Sequence, residues 1–167
     1  MRRILITGSA DGLGRAAALT LIGEGHQVVL HARSRERAAV FEGLTGAAGV
    51  VIGDLSSAAQ TRALAEQVNR IGRMDAVIHN AGIFREPKRG ATPEGHAKIL
   101  AVNVLAPYML TALIERPGRL VYLSSGMHRG GDGTLYDMDW NERRWEVMRA
   151  YSESKLYVTA LALAVAR

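Results

Sequence analysis

At 167 residues, with 48% hydrophobic content and a mean hydropathy near zero, the chain has the composition of one domain, residues 1–167, large enough for a real core. It contains no cysteine, which excludes disulfides and a thiol nucleophile; no apolar run approaches the roughly 18 residues of a membrane span, and no hydrophobic leader follows Met1-Arg2-Arg3, so the cytoplasm is the expected compartment. The net charge of +5 sits on scattered residues rather than a basic block, and 5% aromatics leave few stacking platforms, which points away from nucleic acid and towards a solvated basic surface.

Ile4-Leu5-Ile6 reads as a first strand, aliphatic enough to be buried on both faces of a parallel sheet. It runs into Thr7-Gly8-Ser9-Ala10-Asp11-Gly12-Leu13-Gly14, where Gly8 lets the chain turn without a Cβ penalty. Arg15 to Ile22 then favours helix. A strand, a glycine-rich turn and a helix N-terminus make a phosphate site, because backbone N–H groups and the helix dipole favour an anion there. Gly8, Ser9, Asp11, Gly12, Leu13 and Gly14 are therefore expected to contact a nucleotide cofactor.

Gly23-Glu24-Gly25 ends that helix, and Gln27 to His31 is a second strand. Ser34 is placed to cap a helix through about Glu42. Gly49 to Gly53 is a third strand, and Ser56 or Ser57 caps a helix to about Arg70. Met74 to His79 is the fourth strand. A helical region is expected from about Pro93 to Glu115, bent or broken at Pro107. Gly118 to Leu123 is the fifth strand, Gly126 to Asp139 a polar loop, and Met148 to Arg167 a last helix. This alternation predicts an α/β fold, a doubly wound parallel sheet in the order 3-2-1-4-5. A ligand then sits beyond the C-terminal strand ends, where the strand order reverses beside the first strand.

The spacing of the first turn (Thr-Gly, three residues, Gly, one residue, Gly) resembles the short-chain dehydrogenase/reductase family, with a Rossmann-type fold. Three later stretches carry the same resemblance: Asn80-Ala81-Gly82, a fifth strand ending in Ser124-Ser125, and Tyr151-Ser152-Glu153-Ser154-Lys155. The i, i+4 spacing alone puts Tyr151 and Lys155 on one helix face. A free phenol, with a pKa near 10, moves protons poorly at neutral pH, and an adjacent ammonium stabilises its phenolate.

The resemblance implies an oxidoreductase that moves a hydride between NADP(H) and a carbonyl or alcohol substrate. Tyr151 would be the proton donor, Ser125 rather than Ser124 would hold the substrate oxygen, and Lys155 would tune Tyr151 while both contact the cofactor. Asn103 would support the proton relay through a water. Asp54, with Leu55 beside it, would meet the adenine; Asn80, Ala81 and Gly82 would brace and border the cofactor. Ala32 stands where NAD-type members carry Asp, and Arg33 follows it, which favours NADP over NAD. No metal is implied. Family members commonly pair through two long helices, here about Pro93–Glu115 and Met148–Arg167, so a homo-oligomer is expected.

Two features depart from the commonest pattern. The segment between Ser125 and Tyr151 is long and carries His128, Tyr136, Asp137, Asp139, Trp140 and Trp145. It resembles the retinol dehydrogenase and protochlorophyllide reductase branch, and reads either as a lid for a sizeable apolar substrate or as a surface excursion anchored by its Trp residues. Family members also continue past the helix that bears Lys155, so the resemblance covers the N-terminal part of a member. That leaves a second functional reading, an NAD(P)-binding sensor or scaffold without turnover.

Overall fold

The computed structural model describes residues 1–167. Five strands form one parallel sheet: β1 (Arg3–Ile6), β2 (Gln27–Ala32), β3 (Ala47–Ile52), β4 (Ala76–His79) and β5 (Arg119–Tyr122). Their order is β3-β2-β1-β4-β5, as expected, with every neighbouring pair parallel. The reversal of order falls between β1 and β4. Both faces of β1, β2 and β4 are covered, which is why these strands are largely aliphatic, while the edge strands β3 and β5 leave Val50 and Val121 exposed.

Alternation along the strands divides the core in two. Leu5, Val29 and Val77 point to one face, where they meet Leu64 and Val68 of α3 (Ala58–Ile71) and Leu110 of α5 (Ala106–Leu113). Ile4, Ile6, Val28 and Leu30 point to the other and meet Ala18 of α1 (Gly12–Gly23) and Phe41. Full burial of each such aliphatic side chain contributes about 1.5–3 kcal/mol. A third cluster joins Leu100 and Val104 to Trp140 and to Ala150 and Tyr157 of α6 (Val147–Val165).

The helices differ from expectation in two places. The helix after Ser34 is short: α2 spans Arg35–Ala38 and tightens into a 3₁₀ turn, Ala39–Phe41, that drops Phe41 into the core. Ser34 does cap it, accepting the Arg37 N–H. The long helical region begins not at Pro93 but at α4 (Lys98–Leu100). Pro93 instead lies in a turn closed by Thr92 N–H to His96 O at 2.8 Å, with Gly95 at φ +91°. α4 passes into a π-helical turn, Ala101–Leu105, before α5. Pro107 explains it: with no N–H to offer the carbonyl four residues back, it sits at the start of α5, and the widened turn comes just ahead. Asn103 lies in that widened turn.

Candidate active site and nucleotide crevice

The C-terminal ends of β1 to β4 surround a crevice of about 540 Å³. Its floor is the turn after β1, where Gly8 takes φ +66°. A Cβ on Gly14 would lie 2.3 Å from both the Gly8 carbonyl and Asn80 Nδ2, so only glycine lets α1 begin this close to the sheet. Asn80 uses that proximity, donating through Nδ2 to Thr7 O at 3.0 Å and Gly8 O at 3.1 Å. In return Thr7 Oγ1 accepts the N–H groups of Asn80 and Ala81, each at 3.0 Å. The turn and the end of β4 are thus one welded unit at the reversal of strand order.

Asp11 occupies the N-cap position of α1 without capping it. Its carboxylate is held by the Arg37 guanidinium. The N–H groups of Gly12, Leu13 and Gly14 consequently have no partner in the chain. Three free donors at the positive end of a helix dipole suit a diphosphate. Arg33 and Arg37 border the same crevice from the end of β2, and Asp54 and Leu55 from the end of β3. Asp54 also accepts the Ser56 N–H at 2.8 Å, so it shapes its own turn while facing the crevice.

Of the residues expected to hold a nucleotide, all but Ser9, Tyr151 and Lys155 line this crevice. Ser9 does not line it. Its side chain is wholly buried, with Oγ accepting the His31 N–H at 2.8 Å and its own N–H donating to His31 O at 3.2 Å. His31 and Arg37 are the converse: both line the crevice and neither was singled out. A lone polar side chain at the end of an aliphatic strand was the only signal for His31.

Gly82, with Ile83 and Val102, lines the side of the crevice where the chemistry-bearing residues begin. A Cβ on Gly82 would lie 3.3 Å from Asn103 Oδ1 and 3.6 Å from Lys155 Nζ. Lys155 is buried, and Nζ donates to the Leu123 carbonyl at 2.7 Å. Burial pushes its pKa below the ordinary lysine value. The same ammonium lies 5.7 Å from the centre of the Tyr151 ring. The Phe84 ring meets the Tyr151 ring edge-to-face, with ring centres 4.5 Å apart.

The two serines at the end of β5 differ in what they can still do. Ser124 Oγ is engaged with Thr159 Oγ1 of α6 at 2.6 Å. Ser125 Oγ accepts the Met127 N–H at 3.2 Å, which leaves its own proton free to donate. His128 turns its ring back to the Ser125 carbonyl at 2.6 Å.

The long segment before α6 is fastened at many points. Trp140 is buried, edge-on to Trp145, and carries the Arg143 guanidinium 3.9 Å from its ring centre. Arg143 grips Glu153 of α6 with two hydrogen bonds of 2.9 and 3.0 Å. Trp145 donates to Glu86 O at 2.8 Å, and Asp139 accepts from Ala97 N–H at 2.9 Å. The excursion is therefore anchored by its Trp residues, and it is tied to the loop carrying Phe84.

Residues 2–134 match the family model described as short chain dehydrogenase. The chain belongs to the short-chain dehydrogenase family. It is 48% identical, over its whole length, to the short-chain dehydrogenase chyC of Penicillium rubens, of which it spans 66%. Human retinol dehydrogenase 14 is 31% identical over 93% of this chain and 53% of its own. An uncharacterised protein of Mycobacterium paratuberculosis shares the fold with a TM-score of 0.85 at 30% identity, over 99% of this chain and 64% of that one. The chain thus spans about two thirds of the length of chyC and the other fungal relatives it matches. NAD(P) is the family's cofactor, and the free N–H groups at α1 and the glycine-only approach of Gly14 fit its diphosphate. No helix is long and apolar enough to cross a membrane.

Proposed function

We propose that this short-chain dehydrogenase is an NADP-dependent oxidoreductase acting on a carbonyl/alcohol pair, a sizeable apolar aldehyde or ketone in the reductive direction. The observation that carries the reading is Gly82: one backbone residue lines the nucleotide crevice and abuts both Asn103 and Lys155. The place where a nicotinamide would end is thereby the place where a proton donor set begins. Arg33, unpaired by any carboxylate at the end of β2, supports a 2′-phosphate.

When bound, the reduced cofactor supplies the hydride that reaches the carbonyl carbon. The chain's own part is to place the oxygen and give it a proton. Ser125, with its hydroxyl proton free, donates to that oxygen and holds it near Tyr151. Tyr151 transfers its phenolic proton to the oxygen as negative charge develops there. Lys155 sits beside the ring to stabilise the phenolate, then returns a proton through the relay that Asn103 supports. Phe84 and the fastened 131–146 segment supply apolar surface beside Tyr151, which suits a large apolar substrate. Tyr108 on α5 and Leu163 on α6 are exposed, and they support pairing of two copies through these helices.

NADPH oxidation by the full chain, followed with a panel of aliphatic and aromatic aldehydes and ketones, tests the reading. Turnover is expected with the parent and a loss of about a thousandfold with Tyr151→Phe, in keeping with general acid catalysis. Equal rates for parent and variant overturn the catalytic assignment. NADPH binding without turnover on any carbonyl would support the sensor or scaffold reading instead.

A further inference from the structure

His31 joins the two halves of the nucleotide crevice. Its Nδ1 accepts the Gly8 N–H at 2.8 Å, and its Nε2 lies 2.9 Å from the Gly53 carbonyl beyond β3. These partners settle its protons. A backbone N–H can only donate and a carbonyl can only accept, so Nδ1 is bare and Nε2 carries the hydrogen. The peptide of His31 is held as well, since Ser9 bonds both its N–H and its carbonyl. The ring is 3% exposed yet reaches the crevice wall.

We infer that His31 is a positioning residue for the cofactor: its neutral ring sets the glycine turn after β1 at the right distance from β3, and adding a proton releases that setting. A protonated ring would point an N–H at the N–H of Gly8, so the turn or the ring must move. The turn also carries Gly12, Leu13 and Gly14, the residues whose free N–H groups face the diphosphate site. Burial pushes the His31 pKa below its ordinary value, which keeps the ring neutral near neutral pH. The charged groups facing the same space are Asp54 beyond β3, Arg33 after β2, Arg37 on α2 and Asp11 in the turn. Asp54 favours the proton by its charge, and the Gly53 carbonyl does so by its hydrogen bond. Glutamine offers the same acceptor and donor without titrating, whereas leucine offers neither.

The inference rests on the crevice taking NADP(H), and direct binding keeps the two apart. The affinity of the full chain for NADPH is measured calorimetrically from about pH 8 down to about pH 5, across the range where histidine changes charge, for the parent, His31→Gln and His31→Leu. Because the 2′-phosphate itself titrates in this range, only the difference between proteins with the same ligand counts. His31→Gln is expected to bind within about threefold of the parent at pH 8 and to lose about fivefold less affinity than the parent on acidification, the worth of one hydrogen bond. His31→Leu is expected to bind about tenfold more weakly at every pH. Superimposable profiles for the parent and His31→Gln overturn the inference and leave the nucleotide reading standing. Failure of the parent to bind NADPH at pH 8 overturns both.

Discussion

Asn103 grips Ile83 by both of its peptide groups, accepting its N–H at 2.9 Å and donating to its carbonyl at 3.0 Å. The second amide hydrogen goes to Ser154 Oγ at 3.0 Å, so one side chain ties the π-helical turn to the end of β4 and to α6. Because Asn103 is buried, Asn103→Leu strands the Ile83 N–H and carbonyl without partners, while the Ser154 hydroxyl keeps its bond to Tyr151 O. A loss of about 2–3 kcal/mol is expected, which lowers the melting temperature of a chain this size by roughly 4–10 °C. Asn103→Asp keeps the acceptor for the Ile83 N–H but sets a buried carboxylate oxygen against the Ile83 carbonyl, so it should recover little of the loss. Thermal unfolding of the three proteins checks the order.

Arg37 and Asp11 form an ion pair on the rim of the crevice, with both side chains partly in water. Such a pair adds little to stability. Its consequence is electrostatic: without Arg37 the Asp11 carboxylate stands free beside the helix N-terminus proposed for the diphosphate. Arg37→Ala is expected to weaken NADPH by about tenfold and NADH by less, with unchanged melting temperature. Adding Asp11→Asn to that variant should restore much of the NADPH affinity. Arg33→Ala, by contrast, should erase the preference for NADPH whatever stands at residue 11. Titration of both nucleotides into the four proteins separates these effects.

Glu153 lies inside the Tyr151–Lys155 stretch but on the opposite side of α6, 1% exposed and held by Arg143 and Arg149. The approach of two guanidinium groups to one buried carboxylate fastens the excursion before α6 to the helix bearing Tyr151 and Lys155. Glu153→Gln leaves Arg143 against an uncharged amide over the Trp140 ring. Breaking a buried pair from one side costs about 3 kcal/mol. Urea unfolding should show that loss, and limited proteolysis should cut residues 131–146 faster than in the parent. An unchanged cleavage pattern would mean that Trp140 and Asp139 hold the segment unaided.

What the sequence disclosed and what it concealed divide by the range of the contacts involved. The glycine turn, Asn80-Ala81-Gly82, and Tyr151 with Lys155 are local spacings, and each carries its geometry with it. Sheet order followed from the alternation of aliphatic strands with helices. Arg37 and His31 were concealed because their partners, Asp11 and Gly8, lie across the sheet and become neighbours only once β2 pairs with β1. Ser9 was assigned to the cofactor from its place in the turn, whereas the register of that same pairing turns it to His31. The helix expected from Pro93 begins at Lys98 because Gly95 closes a turn that a periodicity of apolar residues does not reveal.

His79 is the second buried histidine, stacked on Tyr122 with ring centres 4.7 Å apart. Thr111 Oγ1 gives its proton to Pro107 O at 2.7 Å and so accepts from His79 Nε2 at 3.3 Å, which leaves Nδ1 bare and without a partner. Burial lowers the pKa to about 4. In the unfolded chain the same ring titrates near 6.5. Between these two values the unfolded state binds the proton and the folded state refuses it, so folding stability falls as pH drops from about 6.5 towards 4 and loses nothing further from this group below that. The gap corresponds to about 3 kcal/mol. His79→Phe keeps the stacking and removes the titration. Urea unfolding across this pH range should therefore give a shallower acid slope for His79→Phe than for the parent, even if the variant is less stable at neutral pH through the lost bond to Thr111. Parallel slopes would show that His79 gains its proton in the folded state as readily as in the unfolded one.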